Sequence, residues 1–291
     1  MSKHRSVAGR FVSALDGRRS RSRASAALLA AIVATTGLLS ASPPAVLAAT
    51  FTVTTTADAG PGSLRQAIGD ANLTAAADTI TFAITGLGPY VIQPATILPP
   101  IGEPLTIDAT SAALPGGAPG VVLDGTSAGA GHGLTLTAGA TGSTIRGLRI
   151  VRFAQYGIFL NGPSGVVIEG NHIGTDGTAD QGNGKNGIVL QGAAGTVIRG
   201  NLISGNGLAP DVEPCCASGF GIWLADSGAS GTTIAGNLIG TNASGTAAIG
   251  NGNYAITISS SNNTIGGTSA ADRNVISVPR PKTASFPRRR E

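Results

Sequence analysis

Six acidic and basic side chains in the middle of this sequence are the ones from which a catalytic group could be drawn. They are Asp176, Asp180 and Lys185 in GTDGTADQGNGKN (Gly174 to Asn186), and Arg146, Arg149 and Arg152 shortly before it. Acids holding Ca²⁺ against a uronate carboxylate, with an Arg or Lys as base, would make a lyase if they gathered on one outward face. No second loop adds carboxylates that clearly converge on Asp176, and Asp or Asn between glycines is ordinary turn composition. Glycoside hydrolysis needs two carboxylates facing each other across about 5 to 9.5 Å. Glu169 is the one acid on a strand of the regular coils, and its column neighbours are arginines. His132 and His172 lack a Ser or Cys partner in any recognisable arrangement, His4 lies in the leader, and nucleophile, metal and phosphate motifs are absent from the sequence. The sequence therefore assigns no catalytic residue, no metal ligand and no cofactor, and Ca²⁺ enters only with the lyase reading.

Binding chemistry has a different signature. Phe159, Val189, Trp223 and Thr257 recur between apolar positions and are expected to point outward in one column. An exposed aromatic ring on a flat sheet can stack on a sugar, which makes Phe159 and Trp223 the candidate carbohydrate-binding residues. The competing expectation, and the favoured one, is that the loop from Ser204 to Phe220 folds over Trp223 and buries it.

These residues are carried by a repeat. STIRGLRI (Ser143 to Ile150), VVIEGNHI (Val166 to Ile173), TVIRGNLI (Thr196 to Ile203) and TTIAGNLI (Thr232 to Ile239) share Ile at the third place, Gly at the fifth and Ile at the eighth. TIGG (Thr264 to Gly267) and RNVIS (Arg273 to Ser277) look like a fifth, broken copy. Each copy supplies a second apolar strand: GIFL (Gly157 to Leu160), GIVL (Gly187 to Leu190), GIWL (Gly221 to Leu224) and AITI (Ala255 to Ile258). Glycine interrupts every helical reading, and a copy this short cannot bury its own apolar face. The expected fold is all-β, a right-handed parallel β-helix with two strands per turn. Successive coils rise by about 4.8 Å, so equivalent side chains stand in columns. Ile145, Ile168, Ile198 and Ile234 form one interior column; Ile158, Ile188, Ile222 and Ile256 form another, beside Leu160, Leu190, Leu224 and Ile258. Asn171, Asn201 and Asn237 fall on the turns, where Asn tolerates the left-handed conformation and can bond along the stack. Arg146, Glu169 and Arg199 alternate in sign up an outward column. Length varies only in the connections Gly174 to Asn186, Ser204 to Phe220 and Gly240 to Tyr254, and such insertions project from one side, often the binding side.

Before the repeats, FTVTTTADAGPGSLRQAIGDANLTAAADTITFAI (Phe51 to Ile84) reads as strand, turn, helix, strand, with Ser63 as helix cap and Leu64, Ala67, Ile68 and Ala71 on one face. A solenoid's first coil exposes an apolar end and a sheet edge, so this helix is expected as an N-terminal cap. LTIDA (Leu105 to Ala109), VVLDG (Val121 to Gly125) and GLTLT (Gly133 to Thr137) read as less regular early coils. The expected organisation is a leader over 1–48, a strand-and-helix cap over 49–89, early coils over 90–142, regular coils over 143–277 and an irregular tail over 278–291.

Composition agrees. With 44 Gly, about 15% of 291 residues against a usual share of about 7%, and few aromatics, the chain is turn-rich rather than helical. The net charge of +4 is unevenly placed: the body between residues 49 and 278 carries seven Lys/Arg and thirteen acids. An acidic body has no counterion-release footprint, which excludes a nucleic-acid partner. The basic GRRSRSRA (Gly17 to Ala24), the apolar AALLAAIVATTGLL (Ala26 to Leu39) and the small-residue VLA (Val46 to Ala48) read as a secretory signal peptide cleaved after Ala48. Fourteen apolar residues are too few to span a bilayer of about 30 Å, so no stable membrane span is expected after cleavage. The adjacent Cys215 and Cys216 read as two thiols in an inserted loop, because neighbouring cysteines rarely reach good bridge geometry; a strained vicinal bridge or a pairing with another chain are the alternatives.

The ordered set GPGSLRQAIGDAN (Gly60 to Asn72), TIDATS (Thr106 to Ser111), LDGTSAGAGHGLTLTAG (Leu123 to Gly139), STIRGLRI, GNHIGTD and NNTIGGTSAADRNVIS (Asn262 to Ser277) resembles bacterial exported right-handed parallel β-helix proteins that begin with a CSLREA-type segment. Gly62 stands here where that segment has Cys. The resemblance implies a pectin-lyase-like fold and a secreted or cell-surface setting, and brings no agreed catalytic residues. VPRPKTASFPRRRE (Val278 to Glu291) departs from the pattern with three prolines and five basic residues, and is expected to be a truncated or frame-shifted end. The functional expectation is a surface scaffold that binds a polysaccharide or cell-surface glycan; a polysaccharide lyase or hydrolase and a purely structural surface protein are the alternatives.

Overall fold

In the computed structural model, residues 47–207 and 218–278 are described. Cys215, Cys216, the leader up to residue 46 and the tail from residue 279 lie outside them. The described chain winds into three parallel sheets of eight, seven and five strands, here sheets A, B and C, in which each strand pairs with its equivalent in the coils above and below. This is a parallel β-helix.

The expectation of two strands per turn needs correction to three. In one coil, Val197–Arg199 lies in sheet A, Leu202–Ile203 in sheet B and Ile222–Leu224 in sheet C. The repeat template had been read as one strand, but its Gly breaks it. Gly147, Gly170, Gly200 and Gly236 take φ of +74°, +63°, +62° and +66°, a conformation that glycine enters without the Cβ penalty of other residues. The chain turns a corner there, and the template's second Ile starts a new sheet.

The interior columns stand in register. Ile145, Ile168, Ile198 and Ile234 are consecutive partners in sheet A, and all are fully buried. Sheet C stacks Ile158, Ile188 and Ile222 with Leu160, Leu190 and Leu224 beside them, likewise fully buried. Burying each such side chain contributes about 1.5–3 kcal/mol, so the columns are the main source of cohesion. At the far end the columns emerge: Ile258, Ile265 and Ile276 are exposed. The earlier strands Leu105–Asp108, Val121–Asp124 and Leu134–Thr137 join sheets A, B and C in the same registers, so they are regular members of the stack. The helix Leu64–Ala71 is capped by the Ser63 side chain, which accepts from the Gln66 N–H at 3.2 Å, and it buries Leu64, Ala67, Ile68 and Ala71. It packs beside strands Thr50–Val53 and Asp78–Phe82.

Asparagine fixes the corners, though differently from the expectation. The positive φ belongs to the glycines; among the described non-glycine residues only Arg152 and Asn262 have it. Asn171, Asn201 and Asn237 are buried, and their side chains form a ladder. Asn171 Nδ2 donates to Asn201 Oδ1 at 3.1 Å, Asn201 Nδ2 to Asn237 Oδ1 at 3.1 Å, and Asn237 Nδ2 to Asn274 Oδ1 at 3.1 Å. Each amide also donates to an Ile carbonyl one coil back, at Ile145, Ile168 and Ile198. The ladder thus satisfies backbone groups that the bend removes from the sheets.

A second ladder escaped the sequence reading. Asn183 Nδ2 donates to Asn206 Oδ1 at 2.9 Å and Asn206 Nδ2 to Asn251 Oδ1 at 3.0 Å, at the exit of sheet B. Each of these residues is the centre of a Gly-Asn-Gly triplet, at 182–184, 205–207 and 250–252, a spacing visible in the sequence. Ahead of the first and last triplets the chain makes closed excursions, shut by the Gln181 N–H to Gly174 O and Ile249 N–H to Gly240 O bonds, both 2.9 Å. Among the described residues, no helix is long and apolar enough to cross a membrane.

Candidate functional site

The outward face of sheet C gathers rings. Its strands run from Ile158, Ile188 and Ile222, and the register sets Phe159, Val189, Trp223 and Thr257 side by side, as the alternation demanded. A second aromatic column stands at the entry to the same strands, where the chain reads HGLTL, YGIFL, NGIVL, FGIWL and YAITI from residues 132, 156, 186, 220 and 254. His132 stacks on Tyr156 with centroids 4.6 Å apart and lies 4.9 Å from Phe159, and Tyr156 meets Phe159 edge-on at 5.7 Å. Phe220 meets Trp223 edge-on at 5.8 Å and Tyr254 at 5.7 Å. Among the described residues, five of the nine Phe, Tyr and Trp side chains thus sit on this one face. Alternation in the sequence points to Phe159 and Trp223 alone; the entry column is legible as a ring two places before the first Ile or Leu in every coil except the middle one, which has Asn186.

The two ring clusters are separated by the middle coil, which has Asn186 and Val189 where its neighbours have rings. Over that coil lies a groove of about 240 Å³ lined by Tyr156, Phe159, Val189, Gln191, Trp223, Ala225 and Asp226. Phe159 and Trp223 are half-buried, whereas Val189 is 2% exposed and forms the floor. Trp223 has Phe220 against its edge, and residues 208–217 of the loop expected to fold over it lie outside the described residues. Asp226 caps the turn after sheet C, accepting from the Gly192 N–H at 2.9 Å and the Gly228 N–H at 2.9 Å. Gln191 and its coil neighbour Asn161 are exposed, and among the described residues neither amide has a hydrogen-bond partner. Burial holds the His132 imidazole below its usual pKa, helped by Lys185, and pushes the Tyr156 phenol up.

The six cleavage candidates do not gather on one face, although Arg149 lies close enough to Asp176 for each to feel the other's charge. Arg146 lies in sheet A, bonded to Asp108 at 2.6 Å and 3.6 Å from Glu169, which pairs in turn with Arg199 at 2.6 Å. This alternating ladder borders a groove of about 510 Å³ over the corner glycines Gly170, Gly200 and Gly236. Burial would push the Asp108 carboxyl up, but bonds from Thr110 and Arg146 outweigh it and hold the pKa down. Arg152 reaches Asp124 at 2.7 Å from its positive-φ corner. Asp176 binds its own turn: Oδ1 accepts from the Thr178 and Ala179 N–H groups at 2.8 and 2.7 Å, and Oδ2 from Gln181 Nε2 at 2.9 Å. Asp180 Oδ1 accepts from the Gly182 N–H at 3.1 Å. Lys185 lies toward His132. Arg149 and His172 are register partners on sheet B near Asp176; burial and the Arg149 charge take the His172 pKa down to about 4. Among the described residues, no three His, Cys, Asp or Glu side chains gather as metal ligands do.

A family model described as a right handed beta helix region matches residues 118–277. The chain belongs to the right-handed β-helix family. The matched stretch begins just before strand Val121–Asp124 and ends just after Val275–Ile276, so it takes in both asparagine ladders and the whole ring face. A crystal structure of alginate lyase from Paenibacillus sp. str. FPU-7 is similar to this family member at 18% identity, over 74% of this chain and 75% of that one, with a TM-score of 0.43. No reading of substrate follows from so distant a likeness. A search of curated proteins finds no match.

Proposed function

We propose that this right-handed β-helix protein is an exported or cell-surface scaffold that binds carbohydrate on the outward face of sheet C, with Phe159 and Trp223 as stacking residues. The observation that carries the reading is the pair of ring clusters on one flat face of an otherwise aromatic-poor chain. A ring buried only for packing lies inside, as Phe153 does at 1% exposure, whereas Phe159 and Trp223 stay half-buried on the outward face. Rings standing in rows on a pleated surface offer apolar faces to the C–H side of a sugar while leaving its hydroxyls in water. The CSLREA-type resemblance and the basic-then-apolar leader support the exported setting.

The test is a panel of neutral and acidic polysaccharides, with and without Ca²⁺, assayed for retention of the full chain and for new unsaturated ends. Retention without new ends is the expected result. Unsaturated ends would replace the scaffold by a lyase, and absence of retention on every polysaccharide would remove the carbohydrate reading.

A further inference from the structure

We infer, resting on the carbohydrate-binding reading, that the groove over the middle coil takes a single neutral sugar unit of a longer glycan, held between the two ring clusters. Three observations carry this. Val189 pairs with Phe159 on one side and Trp223 on the other, so the rings stand two coils apart, about 9.6 Å at the usual strand spacing. That gap leaves room for one saturated ring in van der Waals contact with an aromatic on each side, since carbon atoms meet at about 3.5–4.0 Å. The groove, about 240 Å³, is smaller than the roughly 300–1,000 Å³ of a site that encloses a whole drug-sized ligand, so it suits one unit of a chain that extends beyond it.

The charge of the lining fixes the class. Of its seven residues only Asp226 carries a charge, and the charge is negative. Lys185 acts on His132, which stacks on Tyr156, and it is not part of the lining. A uronate carboxylate placed here would meet a like charge and find no cation to replace its water, whereas a hydroxyl would lose little. The Gln191 amide, exposed and without a protein partner, offers both a donor and an acceptor to sugar hydroxyls, and Asn161 continues that polar edge one coil on.

Trp223 is the only tryptophan of the chain, so its fluorescence reports on the groove alone. The full chain is titrated with neutral oligosaccharides of β-linked glucose and mannose and with oligouronates, at low and high salt. Saturable change with a neutral series, at least tenfold tighter than with any oligouronate and insensitive to salt, is the expected result. Val189→Phe, which fills the groove while leaving Phe159 and Trp223 in place, should weaken that binding at least tenfold at an unchanged melting temperature, and Gln191→Ala should weaken it several-fold. Tighter binding of oligouronates, lost in salt, would overturn the neutral assignment and leave the carbohydrate reading standing. Neutral binding undiminished in Val189→Phe would overturn the position. No change with any sugar, together with no retention on polysaccharides, would overturn both.

Discussion

The corner after sheet A and the entry to sheet C use the same device, a column of equivalent residues one coil apart, to opposite ends. At the corner the column is uniform over three successive coils: Gly then Asn at 170–171, 200–201 and 236–237, with the amides buried and bonded to one another. At the entry to sheet C the column reads His132, Tyr156, Asn186, Phe220, Tyr254, with His132 and Tyr156 half-buried, Phe220 buried, Tyr254 exposed and a gap in the ring column at Asn186. A position that must satisfy the backbone admits one solution, so it repeats. A position that faces outward is free to vary, and where it departs from the repeat a groove opens. Uniformity marks what builds the coil, and interruption marks what uses it.

Substitutions on each side sharpen the contrast. The largest effect belongs to the corner. Asn201→Ala strips an acceptor from the Asn171 N–H and side chain and a donor from the Ile168 carbonyl. Several buried polar groups left unpaired cost about 1–3 kcal/mol each, so the variant should lose at least 3 kcal/mol. In calorimetry that is a fall of roughly 6–12 °C; a fall below about 2 °C would mean the ladder does not hold the corner.

Next comes the histidine beside that corner. The folded state keeps His172 neutral down to about pH 4, against an ordinary 6.5, so the unfolded chain takes up a proton that the folded one refuses. Stability from this group is complete above pH 6.5 and falls as the pH drops toward 4, by on the order of 2–3 kcal/mol. Denaturant melts of the wild type should show that slope, and His172→Gln should flatten it between those pH values. An identical slope in both proteins would remove His172 from the explanation.

A smaller effect isolates backbone conformation. At Gly200 an added Cβ meets nothing within 4 Å, so Gly200→Ala pays only for its left-handed φ, about 1–2 kcal/mol. At Gly236 the same methyl would meet the Ala271 carbonyl oxygen at 2.6 Å, and Gly236→Ala should be the more destabilising of the two in the same melts. Smallest in stability is Trp223→Ala, which removes a half-buried outward ring and should cost less than about 1 kcal/mol. Its loss of glycan affinity should nonetheless be tenfold or more, a separation of the two quantities that no corner variant shows.

Much of this was legible in the sequence, for reasons that the columns make plain. Ile145, Ile168, Ile198 and Ile234 could be aligned because a buried stack tolerates little besides a β-branched residue. The third sheet was missed because the template Ile-x-Gly-Asn-x-Ile is written as one phrase, and only the positive φ of Gly170 or Gly200 cuts it in two. Asn183, Asn206 and Asn251 were hidden among loops of different length, although each carries glycine on both sides. Asp176 looked chemical in the sequence and proves to bind its own turn, since a carboxylate between glycines accepts from the nearest N–H groups first. Phe159 and Trp223 were found by alternation, while Tyr156, Phe220 and Tyr254 were passed over because they precede the strands.

The most direct measurement is affinity electrophoresis of the full chain through gels containing the polysaccharide that retains it best, run beside the Phe159→Ala/Trp223→Ala double variant. Wild-type migration should be retarded and that of the double variant restored to its speed in an empty gel, with melting temperatures within a few degrees of each other. Equal retardation of both proteins would contradict the assignment of binding to the ring face of sheet C.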